Sequence, residues 1–282
     1  MYYDCHIHMI LDGWDWKNAI ARHAAAPDEA WIRQILEKYR ALRYEYLRDG
    51  GDRWGAGKLA RALAPEYGIR YRTPLAPLCK AGHYGGFIGE RYRDLREYGA
   101  LVKKQREAGA DFIKIMISGL MDFQHFGVLS EPPLEAEEIR ELIHIAHEEG
   151  FAVMAHANGA RTVEVAAAAG VDSVEHGAYL DESALRAMVE HGVVWVPTLS
   201  AIGNLLGKER FPEAEVGEIV ESSLGNLEMF AGMGGWIACG SDAGAWAVAH
   251  GCHTEMDWLR KALGADTERI VGIGNEKIRE KF

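Results

Sequence analysis

Residues 135–176 read EAEEIRELIHIAHEEG, FAVMAH, ANG, ARTVEVAAAAG and VDSVEH in succession. In the first and fourth segments apolar residues recur every three or four positions, as on the buried face of a helix. FAVMAH and VDSVEH are short apolar runs typical of buried strands. Gly150 and Gly170 end the two helical segments, as glycine commonly does. This stretch therefore predicts helices alternating with parallel strands, joined by right-handed crossovers.

The same alternation extends in both directions along the chain. Eight strands are predicted, at residues 2–8, 42–48, 69–78, 111–118, 151–156, 172–176, 193–199 and 236–241. Eight helices are predicted after or between them, at residues 28–40, 57–66, 92–108, 135–149, 160–169, 182–191, 213–233 and 256–263. Eight β-α units in a chain of this length predict an α/β fold, a (β/α)8 TIM barrel, as one domain over residues 1–282. Periodicity alone leaves a doubly wound open sheet as the alternative. The long segment 121–133 is a candidate lid over the active site.

Composition restricts the class of protein. The chain has 282 residues, 31 Lys and Arg against 42 Asp and Glu, and a net charge of −11. Hydrophobic residues make up 48%, enough for a large core, so a mainly disordered chain is excluded. The negative charge argues against a nucleic-acid or anionic-membrane partner. Without a targeting signal, a spanning apolar run or paired cysteines, the sequence suggests a reduced cytoplasmic compartment. The loop with Trp14 and Trp16 could form an interface in a homo-oligomer.

Side chains able to bind a metal lie in or at the ends of the predicted strands. His6 and His8 are two apart in a strand, so both point to one face. The carboxyl ends of barrel strands form one mouth, where catalytic residues gather. Lys114, in the Ile-rich strand 111–118, is costly as a buried cation unless it is modified or paired. The sequence therefore predicts a divalent metal site built from His6, His8, His156, His176 and Asp242, with Lys114 as an additional buried residue of the same set.

This set, in this order, resembles the amidohydrolase superfamily of metal-dependent hydrolases. The stretch from Asp111 to about Leu206 is similar to the imidazolonepropionase-like and Xaa-Pro dipeptidase-like branch. The phrases that carry the likeness are FIKIM at 112–116, AHA at 155–157, EHG at 175–177 and VPTL at 196–199. Members of that branch commonly have a β-sandwich beside the barrel, and this chain is expected to lack it.

The resemblance implies two divalent metal ions. The first would be held by His6, His8 and Asp242, and the second by His156 and His176. Lys114, carboxylated by carbon dioxide, would bridge the two ions as a carbamate. A metal-bridging hydroxide would attack the substrate, and Asp242 would be the catalytic proton carrier. Zinc suits these ligands.

The activity implied is hydrolysis of a C–N bond in a small-molecule substrate, namely an amide, a cyclic amide or a dipeptide. Two alternatives stay open. The same site could serve a lactonase or a deaminase, or the barrel could bind metal without catalysis. The presence of Lys114 favours hydrolysis over deamination within this superfamily.

Loops that follow the strands supply candidate substrate contacts. Arg48 closes the second strand, His83 and Tyr84 follow the third, and His125 lies in the segment 121–133. Histidine can donate a hydrogen bond to a carbonyl or carboxylate, so His83 and His125 are the preferred pair.

Overall fold

The computed structural model describes residues 2–282, and within them it has ten strands and eleven α-helices. The strands are β1 (Tyr2–Ile7), β2 (Tyr44–Asp49), β3 (Arg70–Arg72), β4 (Leu78–Lys80), β5 (Glu90–Tyr92), β6 (Ile113–Met116), β7 (Val153–Ala157), β8 (Ser173–His176), β9 (Val194–Val196) and β10 (Trp236–Ile237). The helices are α1 (Trp16–Arg22), α2 (Glu29–Ala41), α3 (Ala56–Leu63), α4 (Leu95–Glu107), α5 (Ala136–Glu148), α6 (Ala160–Ala168), α7 (Glu182–Glu190), α8 (Ser200–Gly203), α9 (Glu213–Gly232), α10 (Thr254–Leu263) and α11 (Thr267–Lys281).

The strands form two sheets whose named neighbours are all parallel. One has the order β1-β2-β3 and the other β10-β9-β8-β7-β6-β4-β5. Backbone hydrogen bonds also join the two sheets at both ends. At one end the Cys5 amide donates to the Cys239 carbonyl, and the Asp242 amide donates to the His6 carbonyl. At the other end the Asp111 amide donates to the Thr73 carbonyl. The chain is an α/β protein with a TIM-barrel-like fold, as predicted from the alternation of its elements.

Along β6 and β7, side chains alternate between the two faces of the sheet, and this separates the hydrophobic core from the candidate site. In β6, Ile113 and Ile115 pack in the cluster shared with the helices, and Lys114 lies between them. In β7, Met154 belongs to a second apolar cluster with Phe112 and Phe282. Because side chains of a strand point alternately to opposite faces, the strands that bury aliphatic residues outward present polar residues inward.

The structure differs from the prediction in the region of the third strand. Instead of one strand over residues 69–78, it has the short strands β3 and β4 with the segment 73–77 between them. Pro74 and Pro77 both lie in that segment, and neither has a backbone N–H to donate to a strand partner. The predicted helix 92–108 also begins later, at Leu95, where the Asp94 carboxylate accepts the Glu97 amide as an N-cap. The elements β5 and α1 were not predicted.

None of the helices described, from residue 2 to residue 282, is both long and apolar enough to cross a membrane.

Candidate metal centre

Three of the predicted metal ligands meet at the end of β1. His6 and His8 come from that strand and the turn after it, and Asp242 follows β10. The His6 and His8 Nε2 atoms are 3.3 Å apart, and Asp242 Oδ1 lies 3.5 Å from the first and 3.2 Å from the second. Two ligands at tetrahedral positions on one zinc ion are separated by about 3.3 Å. The triangle therefore has the dimensions of one face of a metal coordination shell.

A buried carboxylate orients His6. Its Nδ1 lies 2.7 Å from Glu175 Oε2, so Nδ1–H donates to the carboxylate and the lone pair of Nε2 faces Asp242. Glu175 in turn accepts hydrogen bonds from Arg48 Nη2 at 2.8 Å and from Ser173 Oγ at 2.5 Å. Arg48 and Glu175 are both fully buried. Histidine ligands in proteins are commonly fixed through the other ring nitrogen in this way.

The other predicted ligands line the same cavity as the triangle. His156 Nε2 donates to the Gly119 carbonyl at 3.2 Å, which leaves Nδ1 with its lone pair. His176 Nδ1 lies 2.7 Å from Thr198 Oγ1, so Nε2 is the free nitrogen of this ring. The rings of His156 and His176 have their centroids 4.5 Å apart, and His176 is 5.1 Å from His6. The structure therefore brings the histidines together with one free ring nitrogen each.

Burial keeps these imidazoles neutral. It lowers the pKa of His156 to about 3, and it lowers the pKa of His6 and His176 well below the ordinary value, with further lowering by neighbouring cationic groups. Burial also lowers the pKa of Lys114 to about 8, although the Glu175 carboxylate acts in the opposite direction. Neutral imidazoles have the lone pair that a metal ligand needs.

Several buried polar atoms at the site have no hydrogen-bond partner within residues 2–282. They include His8 Nδ1, Lys114 Nζ and Asp242 Oδ1. Buried polar groups are normally paired, because an unpaired one costs about 1–3 kcal/mol. A lysine nitrogen and a carboxylate oxygen left free beside neutral imidazoles fit a site that holds divalent cations.

The backbone is left-handed at three corners of the site. His176, Thr198 and Asp242 have φ angles of 69°, 51° and 60°. Such angles cost about 1–3 kcal/mol for residues other than glycine and persist where the surrounding structure enforces them. His176, which has the left-handed angle, ends β8 directly after Glu175. The side chains of these two adjacent residues both reach the site. Simple strand alternation would have sent these two side chains to opposite faces.

The cavity above these residues has a volume of about 490 Å³. Tyr84, a predicted substrate contact, lies in its wall with its ring 4.8 Å from that of His156. The segment 121–133, predicted as a lid, supplies Met121, Phe123 and Ser130 to the wall.

The other three predicted substrate contacts lie elsewhere. Arg48 is buried beneath the site with Glu175. His83 lies 3.4 Å from Glu131, and the exposed His125 accompanies Asp122 at 2.9 Å. None of the three is part of the cavity wall.

Glu175 was missed by the sequence reasoning; its only signal was a carboxylate directly before a predicted ligand in an apolar strand.

His250, a buried residue outside the cavity wall, gives a prediction for acid stability. It bonds to the Leu11 carbonyl at 2.9 Å and to the Tyr39 hydroxyl at 3.1 Å, and burial lowers its pKa to about 4. The folded state therefore binds fewer protons than the unfolded state between pH 4 and pH 6.5, so its stability falls as the pH falls through that range. His250→Gln should remove about 3 kcal/mol of this pH dependence.

Urea unfolding of the metal-free protein at pH 7.5 and pH 4.5 measures the effect. The exposed His144 provides the control, because His144→Gln should leave the pH dependence unchanged. Equal pH dependence in the parent protein and in His250→Gln would contradict the prediction.

The chain is similar to proteins of known family and to proteins of known structure. The family model described as "Amidohydrolase family" matches residues 64–220. Ochratoxinase of Aspergillus niger is 30% identical over 193 residues, which are 61% of this chain and 38% of that protein. An uncharacterised protein of Mycobacterium tuberculosis is 28% identical over 197 residues, 67% of this chain and 52% of that protein. The chain thus spans about half the length, or less, of these relatives.

Two solved structures share the fold. A Xaa-Pro dipeptidase with methionine in its active site gives a TM-score of 0.79 at 22% identity, covering 99% of this chain and 75% of the dipeptidase. The Aspergillus niger ochratoxinase structure also gives 0.79 at 22% identity, covering 99% of this chain and 70% of that one. Both matches extend over almost the whole of the described chain.

Proposed function

Because the chain belongs to the amidohydrolase family, we propose that it is a metal-dependent hydrolase of a C–N bond in a small amide, cyclic amide or dipeptide. The relatives named ochratoxinase and Xaa-Pro dipeptidase support this class of substrate. The observation that carries the proposal is the meeting of His6, His8 and Asp242 in a triangle of ligand dimensions. We also infer that the two sheets close into one (β/α)8 barrel, which the hydrogen bonds between them support.

In this proposal His6, His8 and Asp242 would hold one divalent ion, and His156 and His176 would hold a second. Lys114, once its Nζ is carboxylated, would supply an anionic oxygen ligand to them. Its pKa of about 8 supports this step, because the amine must be neutral to react with carbon dioxide. Zinc is the ion proposed, since imidazole nitrogens and carboxylate oxygens suit it. When bound, the ions would polarise the scissile carbonyl and lower the pKa of water.

The protein's own residues would do the rest. Asp242 would accept the proton of the attacking water and deliver it to the leaving nitrogen as the C–N bond breaks. Glu175 would keep the proton of His6 on Nδ1, and Thr198 would fix the ring of His176. The aromatic wall of the cavity would limit access of bulk water. Esters and lactones place a carbonyl at the same position, so lactone hydrolysis is the second candidate.

The metal content is the first test of this proposal. We expect elemental analysis to find about two zinc or similar divalent ions per chain after purification with bicarbonate and without chelator. Lys114→Ala should reduce this to about one, because the bridging group is lost. One ion in the parent protein would indicate an unmodified Lys114 and favour deamination. No bound metal after reconstitution would overturn the proposal.

A further inference from the structure

The cavity above the proposed metal centre is largely aromatic. Its wall includes six rings in addition to Tyr84: Trp14, Trp16, Phe87, Phe123, Phe211 and Trp246. Rigid aromatic rings favour the burial of a bulky apolar group, because each buries a large area at little cost in conformational entropy. A small polar amide would leave most of this surface without a partner.

One cation interrupts this wall. Besides Lys114 and Asp242 of the metal centre, Arg210 is the only charged residue among those described in the wall. Its guanidinium lies 4.2 Å from the centroid of the Trp246 ring and 5.3 Å from that of Phe211. Arg210 is an exposed residue, and none of the arginine ion pairs within residues 2–282 includes it. A cation–π contact of this kind uses none of the guanidinium N–H groups as hydrogen-bond donors, so they stay available to a ligand.

These features suit an anionic, apolar ligand. A guanidinium donates two parallel hydrogen bonds to a carboxylate, and such bonds are stronger than those to a neutral group. The protein has a net charge of −11, so a cation in the cavity wall favours the entry of a negatively charged substrate. The scissile amide at the metal centre and a carboxylate at Arg210 would share one cavity.

We propose that Arg210 binds the carboxylate of an N-acylated apolar amino acid, whose bulky groups pack on the aromatic wall while its amide is cleaved. This inference rests on the proposed function, since it places the amide at that metal centre. It makes Arg210 the residue that distinguishes an acid from the corresponding neutral carboxamide.

Turnover of N-benzoyl-phenylalanine and of its carboxamide provides the first test, with the zinc-loaded protein. We expect kcat/KM for the acid to exceed that for the carboxamide by about tenfold or more. Arg210→Met should lower the value for the acid by about 10- to 100-fold and leave the carboxamide unchanged. Arg210→Lys should restore part of the loss. Lys208→Met, at an exposed cation of the same loop, should change neither value.

A stable analogue separates this inference from the function on which it rests. In the ketomethylene analogue of N-benzoyl-phenylalanine, CH2 replaces the amide NH, so binding is measured without cleavage. Calorimetry should show at least tenfold weaker binding of the acid to Arg210→Met and no change for its carboxamide.

If neither substrate is cleaved while the analogue binds in this Arg210-dependent way, the proposed hydrolysis fails and the carboxylate site stands. Equal effects of Arg210→Met on the acid and the carboxamide, or no effect on either, would overturn the inference.

Discussion

Asp242→Asn is expected to lower kcat/KM for amide hydrolysis by about 10³-fold or more, because general acid–base catalysis alone contributes 10²–10⁴-fold. The change removes both a negative ligand and the proposed proton carrier. Asparagine keeps the size of the side chain, and the hydrogen bond from the residue 242 amide to the His6 carbonyl is a backbone bond. We therefore expect a folded protein, measurable by circular dichroism and thermal unfolding.

The control is Asp122→Asn, a carboxylate in the segment 121–133 that is paired with exposed His125. It should leave turnover within about twofold, because surface ion pairs contribute little. His176→Ala should match Asp242→Asn in lost turnover and should also lower the metal content. An Asp242→Asn protein that keeps a tenth of the parent activity would show that the proton is carried by another group.

Arg48→Met is expected to cost about 3–5 kcal/mol of stability, the cost of leaving a buried charge unpaired. Arg48 and Glu175 are both fully buried, and Arg48 also donates to the Cys5 carbonyl at 2.7 Å and to Ser173 Oγ at 2.9 Å. The ring of Phe282 lies 4.4 Å from the guanidinium, so little space remains for water to solvate the carboxylate. Urea unfolding measures the loss.

The double variant Arg48→Met, Glu175→Gln tests the cause. It should recover much of the loss, because no charge then remains unpaired. Arg186→Met breaks the surface pair with Glu182 and should cost less than about 1 kcal/mol. Since Glu175 orients His6, the double variant should also bind metal about 10- to 100-fold more weakly. A loss below 1 kcal/mol for Arg48→Met would contradict the assignment of this ion pair as a buried charge pair.

Much of the fold could be predicted because helical and strand periodicities alternate clearly from residue 111 to residue 199. The strand 69–78 was not placed correctly, since Pro74 and Pro77 interrupt the ladder between two short strands. The grouping of the metal-binding side chains followed from one rule, that parallel strands end at the same edge.

The role of Arg48 lay outside the reach of sequence reasoning. Its position at the end of β2 suggested a substrate contact, whereas the structure directs it to Glu175, far along the chain. That ion pair is visible only in the three-dimensional structure, which brings residues of β1, β2 and β8 close together. The left-handed angles at His176, Thr198 and Asp242 likewise depend on tertiary contacts, because such angles are uncommon for residues other than glycine.

The hydrogen bonds that join β1 to residues 239–243 have a consequence for synthesis on the ribosome. His6 and His8 leave the exit tunnel on the order of tens of seconds before Asp242, because more than 230 residues separate them along the chain. Until Asp242 emerges, one edge of β1 lacks its hydrogen-bond partners, and His6 and His8 lack the third ligand of the metal site. Zinc captured early by this pair would be held weakly and exchangeably, so selection of the correct ion would follow the emergence of the last strand.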